Sequence, residues 1–157
     1  MDMTQFKKFL ITAQMPHAKG TSNAKRVEDG AVLITYEQDD WKFRDEFYGG
    51  EPYGGREVIH YKNKPVWIMV YYGQVHDTDL AANDVYNFLR RALQFPPDDL
   101  PLRGPNTYKE NNLEYRNDVK GDLSSYNGRE VILENGNEIY LANYTGGMVD
   151  QRADTGF

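Results

Sequence analysis

One five-residue string occurs twice in the chain, as Gly55-Arg56-Glu57-Val58-Ile59 and again as Gly128-Arg129-Glu130-Val131-Ile132. Each copy opens a run of β-branched and aromatic residues broken by a short polar turn. The turn lies at Lys62 to Lys64 in the first run and at Asn135-Gly136 in the second, so both runs read as β-hairpins. Laid over each other without a gap, they also match Tyr71 with Tyr144 and Gly73 with Gly146, and they set Trp67 against Tyr140 and Ile68 against Leu141. The echo extends upstream. Phe9-Leu10-x-x-Ala13 and Phe88-Leu89-x-x-Ala92 have one spacing, and Leu113-Glu114-Tyr115 falls where Leu33-Ile34-Thr35-Tyr36 falls in the first half. A chain with this pattern is expected to make one local unit twice.

The expected fold class is therefore α+β. Two α-β-β-β-β units in tandem, at about 4–74 and 79–147, would form a single domain over 1–147, with an antiparallel sheet, both helices on one face and a pseudo-twofold axis. A plain α+β domain without duplication is the alternative. The first helix is expected from a Thr4 cap to about Gln14, with Phe6, Phe9, Leu10 and Ala13 on its apolar face and Pro16 ending it. Residues 17–30 read as a loop, followed by strands at 31–37 and 41–48. Tyr48-Gly49-Gly50 and Tyr53-Gly54-Gly55 read as turn glycines. Asp79 to Phe95 is the strongest helical pattern, with Leu80, Val85, Phe88, Leu89, Ala92 and Leu93 apolar and Pro96-Pro97 as the stop. A loop over 98–112 and strands at 113–119 and 122–126 precede the second hairpin, and 148–157 reads as a flexible tail.

Charge and composition narrow the function classes. The net charge of −6 disfavours a phosphate backbone as partner, so no direct nucleic-acid binding is expected. Cysteine is absent, which removes thiolate catalysis and zinc–thiolate sites and suits a cytoplasmic location. No apolar run is long enough to span a membrane, and no signal peptide is expected. Three histidines without metal-ligand spacing give no metal site, and neither a phosphate-binding glycine loop nor a nucleophile elbow occurs, so no cofactor and no catalytic residue are assigned.

The candidate site rests on the hairpins. With a two-residue turn, Arg56, Val58 and His60 share a face with Trp67, Met69 and Tyr71, while Glu57, Ile59 and Tyr61 share the other with Val66, Ile68, Val70 and Tyr72. In the second hairpin Arg129 and Val131 go with Tyr140 and Tyr144. The aliphatic face suits the helices. The aromatic face, with Trp67, Tyr71, Tyr140, Tyr144, Arg56 and Arg129, reads either as a concave small-molecule groove or as ordinary cross-strand pairing. A turn longer by one residue would exchange the two faces. Glu57 and Glu130 are read as salt-bridge partners or counter-charges rather than a catalytic dyad. Arg103, in Leu102-Arg103-Gly104-Pro105, would staple its loop to the sheet or bind an anion.

These stretches carry a resemblance. Tyr48-Gly49-Gly50, Glu57-Val58, Lys64-Pro65-Val66-Trp67-x-Met69-x-Tyr71-x-Gly73, Arg103-Gly104-Pro105, Gly121-Asp122 and Glu130-Val131-Ile132 resemble an uncharacterised bacterial family, the domain of unknown function 5680 type, from about Phe6 to Gly147. The family is found alone or behind helix-turn-helix domains, which implies a sensor or interaction role; with no room for such a domain ahead of Phe6, this chain would not itself bind DNA. The resemblance brings no catalytic residue with it. The leading expectation is a ligand-binding domain for a small aromatic or cationic molecule. The alternative is a protein-interaction module that meets a basic partner through the acidic surface, and an enzyme is the least favoured reading.

Overall fold

The computed structural model describes residues 1–150. Two helices and nine strands follow in the order α1 (Met3–Ala18), β1 (Lys25–Arg26), β2 (Val32–Gln38), β3 (Trp41–Gly49), β4 (Tyr53–Tyr61), β5 (Lys64–Val75), α2 (Ala82–Ala92), β6 (Thr107–Glu110), β7 (Leu113–Asp122), β8 (Ser125–Glu134) and β9 (Asn137–Met148). All nine strands join one antiparallel sheet ordered β1-β2-β3-β4-β5-β9-β8-β7-β6. The fold is α+β. Its two meanders meet at the centre, where β5 pairs with β9 and Tyr71 lies opposite Tyr144.

The helices differ from expectation at their ends. Asp2, not Thr4, caps α1, its side chain accepting the Thr4 N–H at 2.8 Å. Pro16 does not stop the helix, which runs on to Ala18. Proline removes one N–H, but the final turn is still closed by Lys19 N–H donating to the Met15 carbonyl at 3.0 Å. Helix α2 is shorter than its periodic pattern. Both helices bury residues at i, i+3, i+4 and i+7: Phe6, Phe9, Leu10 and Ala13 in α1, and Val85, Phe88, Leu89 and Ala92 in α2. They cover the same face of the sheet, since α1 packs in the cluster that holds Tyr144 and α2 in the one that holds Tyr140, two residues on one side of β9.

Among the strands, β7 continues through Val119 to Asp122 and β8 begins at Ser125, so the segment expected as a separate strand at 122–126 holds the turn between them and the start of β8. A short strand, β6, interrupts the long loop over 98–112, and β1 interrupts the loop over 17–30. Gly49 is a turn glycine at φ +81°, but Gly54 and Gly55 lie inside β4. Met148 ends β9, and the remainder of the expected tail, 151–157, lies outside the described residues.

The largest correction concerns which face is buried. The Lys62-Asn63 turn has two residues, both with positive φ. The register nevertheless shifts at Ile59/His60, leaving Val66 unpaired, so that Ile59 lies opposite Trp67 and Glu57 opposite Met69. The same shift occurs at Ile132/Leu133, where Ile139 is unpaired and Glu130 lies opposite Ala142. One extra residue turns every side chain beyond it to the other side. Trp67, Met69, Tyr71, Tyr140 and Tyr144 therefore face the helices together with Glu57 and Glu130, while Arg56 and Arg129 point away. Gly128 leaves room for this packing, because a Cβ there would overlap the Tyr144 ring.

Trp67 is fully buried, with its ring 6.0 Å from Phe6 and 5.8 Å from Tyr126. Trp67→Ala is expected to cost about 3–5 kcal/mol of stability, measured by urea denaturation. A variant as stable as the parent would contradict this placement.

Candidate functional site

Buried strands seldom carry carboxylates, and this sheet carries three on its helix-covered face. Asp45 on β3 is 6% exposed, Glu57 on β4 is 5% exposed and Glu130 on β8 is fully buried. Burial of an ionised carboxylate without compensation is costly, so the partners of each define what its surroundings are built to do.

Glu130 is completely compensated. Arg103 donates to it from Nη2 at 2.5 Å and from Nε at 3.2 Å, and the hydroxyls of Tyr115 and Tyr140 donate at 2.7 and 2.9 Å. Tyr53 adds an outer hydroxyl, 2.6 Å from that of Tyr140. Arg103 arrives from a loop that holds it in a left-handed conformation, φ +66°. The loop is fastened on both sides of it, because the Asn117 amide donates to the Leu102 and Gly104 carbonyls at 2.9 and 3.1 Å. Burial opposes the Arg103 charge, but the adjacent Glu130 carboxylate holds the guanidinium well above its ordinary pKa. This is a loop staple.

Asp45 and Glu57 lie opposite each other across β3 and β4 and are much less compensated. Asp45 Oδ1 accepts the Tyr71 hydroxyl at 2.5 Å, and Glu57 Oε2 accepts the Gln14 amide at 2.6 Å. Among the described residues nothing donates to the other oxygen of either group, and neither has a cationic partner within salt-bridge distance. Burial pushes Asp45 up to about 6. Burial and then the Asp45 charge push Glu57 up to about 8, so the two carboxyls hold a proton between them near neutrality.

A cavity of about 290 Å³ opens beside this pair, between the helices and the sheet. Its wall is aromatic, from Phe43, Phe47, Tyr53, Tyr71 and Tyr86, with Gln14 and His17 of α1 and Arg90 of α2 also lining it. Arg103 closes one side, its guanidinium carbon 5.9 Å from the Tyr71 ring centre. Burial, followed by the charges of Arg103 and Arg90, lowers His17 to about 4, so it is neutral at physiological pH. The arrangement offers aromatic faces and two carboxyl groups without a salt-bridge partner, the complement of a cationic guest, with Arg90 as a further charge on the wall and Arg103 committed to Glu130.

Of the residues singled out in the sequence, Glu57, Tyr71 and Arg103 line this cavity. Tyr140 and Glu130 stand behind it in the Arg103 network, and the Tyr144 hydroxyl donates to Asn117 at 2.7 Å. Trp67 belongs to the core. Arg56 lies on the opposite face of the sheet, 3.7 Å from Glu46, and Arg129 lies there too, 2.8 Å from Glu138. Sequence reasoning missed Asp45, Gln14, His17 and Tyr86. Asp45 had a legible signal, since it continues the alternation Trp41, Phe43, Asp45 on the buried side of β3.

The fold and site define a helix-covered antiparallel sheet with an aromatic-walled cavity that holds two buried carboxyl groups. The family described as a Domain of unknown function (DUF5680) matches residues 45–149, from within β3 to just past β9, and the chain belongs to that family. No curated protein and no solved structure matches the chain. Among the described residues, no helix is long and apolar enough to cross a membrane.

Proposed function

We propose that the chain is a ligand-binding domain whose cavity takes a small organic cation. The observation that carries this reading is the Asp45–Glu57 pair, buried at an open cavity and lacking the cation that Glu130 has. A free amine or related cation would supply the missing charge and meet the rings of Tyr71, Tyr53 and Tyr86 by cation–π contact. The absence of cysteine accords with a cytoplasmic setting for such a binder. The same reading takes the two halves as one duplicated unit, supported by the mirrored strand order and the matching register shifts.

The test is a thermal-shift and calorimetric survey of small organic cations against neutral compounds of equal size. A ligand at one hundred times its Kd adds about 2.7 kcal/mol of stability, a rise of roughly 5–10 °C in Tm for a chain of this length. If no cation moves Tm more than its neutral counterpart, the proposal is wrong and the protein-interaction reading takes its place.

A further inference from the structure

The two halves of the sheet can be compared residue by residue through their registers. Glu57 lies opposite Asp45 and Met69, and Glu130 opposite Asn117 and Ala142. Ile59 lies opposite Phe43 and Trp67, and Ile132 opposite Tyr115 and Tyr140. The Tyr71 hydroxyl donates to Asp45, and that of Tyr144 to Asn117. The register thus equates Asp45, Phe43 and Trp67 with Asn117, Tyr115 and Tyr140.

None of the donors to Glu130 has an equivalent at Glu57, whose donor is instead the Gln14 amide at 2.6 Å. Tyr115 and Tyr140 each bring a hydroxyl to Glu130, whereas Phe43 has none and the Trp67 indole N–H has no acceptor. Arg103 has no counterpart either, since its guanidinium is committed to Glu130. Where the second half has a neutral asparagine, the first has a second acid, Asp45. The first half therefore has one more carboxylate and fewer donors, and its Phe43, Asp45 and Glu57 line the cavity that α2 and Arg103 complete.

From this comparison we infer that the guest is a guanidinium compound, its planar fork occupying beside Glu57 and Asp45 the place that the Arg103 side chain occupies beside Glu130. The inference rests on the cation-binding reading and specifies the cation. A guanidinium presents several N–H groups in one plane and can span two carboxylates, satisfying the free oxygens of both. It also stacks flat on an aromatic ring, as Arg103 approaches Tyr71. A primary ammonium has three donors at one point and would leave part of the pair unmet, and a quaternary ammonium has none.

The experiment is isothermal calorimetry of the whole protein with n-propylguanidine, n-butylamine and choline at pH 8. The expected result is that propylguanidine binds at least tenfold tighter than either of the others. Asp45→Asn, which copies Asn117, is expected to remain folded and to lose at least tenfold in propylguanidine affinity. Butylamine or choline binding as well as propylguanidine would overturn the guanidinium assignment and leave the cation-binding reading standing. Binding by none of the three would overturn both. Undiminished propylguanidine affinity in folded Asp45→Asn would place the guest away from the carboxylate pair and refute the inference.

Discussion

Arg103→Met is expected to lower the unfolding free energy by about 3–5 kcal/mol, a loss to be read from urea denaturation at pH 7. The cause is less the lost bond than the group left behind. Glu130 is fully buried, and without the guanidinium it keeps only the Tyr115 and Tyr140 hydroxyls for its charge. Arg103→Met combined with Glu130→Gln removes both charges, and this pair is expected to recover most of the loss, because a neutral amide needs no countercharge. Full stability of the single variant would show that Arg103 is not the staple.

Glu57→Gln has the opposite expected effect. The folded protein holds the Glu57 pKa at about 8, above its ordinary 4.5, so between those pH values the native state keeps a proton that the unfolded chain releases. Stability from this group is greatest below the unfolded value and is lost as pH rises toward 8. Asp45, raised from 3.8 to about 6, acts in the same direction at lower pH. Of the other groups acting on Glu57, Arg103 and the Gln14 bond lower its pKa and the Glu130 charge raises it, without cancelling the shift, and neutral His17, Arg90, Tyr86 and Tyr71 line the same cavity. Glu57→Gln is therefore expected to raise Tm at pH 8 by roughly 5 °C or more, to flatten the decline between pH 5 and 8, and to abolish cation binding. A stability profile that rises with pH in the parent protein would contradict the arrangement. Stability gained as binding is lost is the signature of a group kept for its ligand.

Much of the architecture was legible in the chain. The two copies of Gly-Arg-Glu-Val-Ile announced paired hairpins, and helical periodicity marked Phe6, Phe9, Leu10 and Ala13 of α1 and Val85, Phe88, Leu89 and Ala92 of α2 as buried, with Leu80 and Leu93 falling outside α2. Local chemistry also gave Arg103 as either a loop staple or an anion binder, and its bonds to Glu130 make it the staple. Helix ends were less legible, because a lone Pro16 or Thr4 competes with neighbours that satisfy the same backbone groups.

The candidate site was only half legible. Glu57, Tyr71 and Arg103 were marked, but Gln14 reaches Glu57 from a helix 43 residues away, and Asp45 meets it only through the register of β3 on β4. What the sequence determined by itself is the α+β class, both helices and the two long hairpins, since periodicity and turn chemistry act over a few residues. Which face each side chain occupies was decided only in the tertiary structure. Val66 and Ile139 each add one unpaired residue to a hairpin, and one residue exchanges the faces of a strand. That exchange put Trp67 in the core, sent Arg56 and Arg129 to the far side, and turned Glu57 inward to meet Asp45.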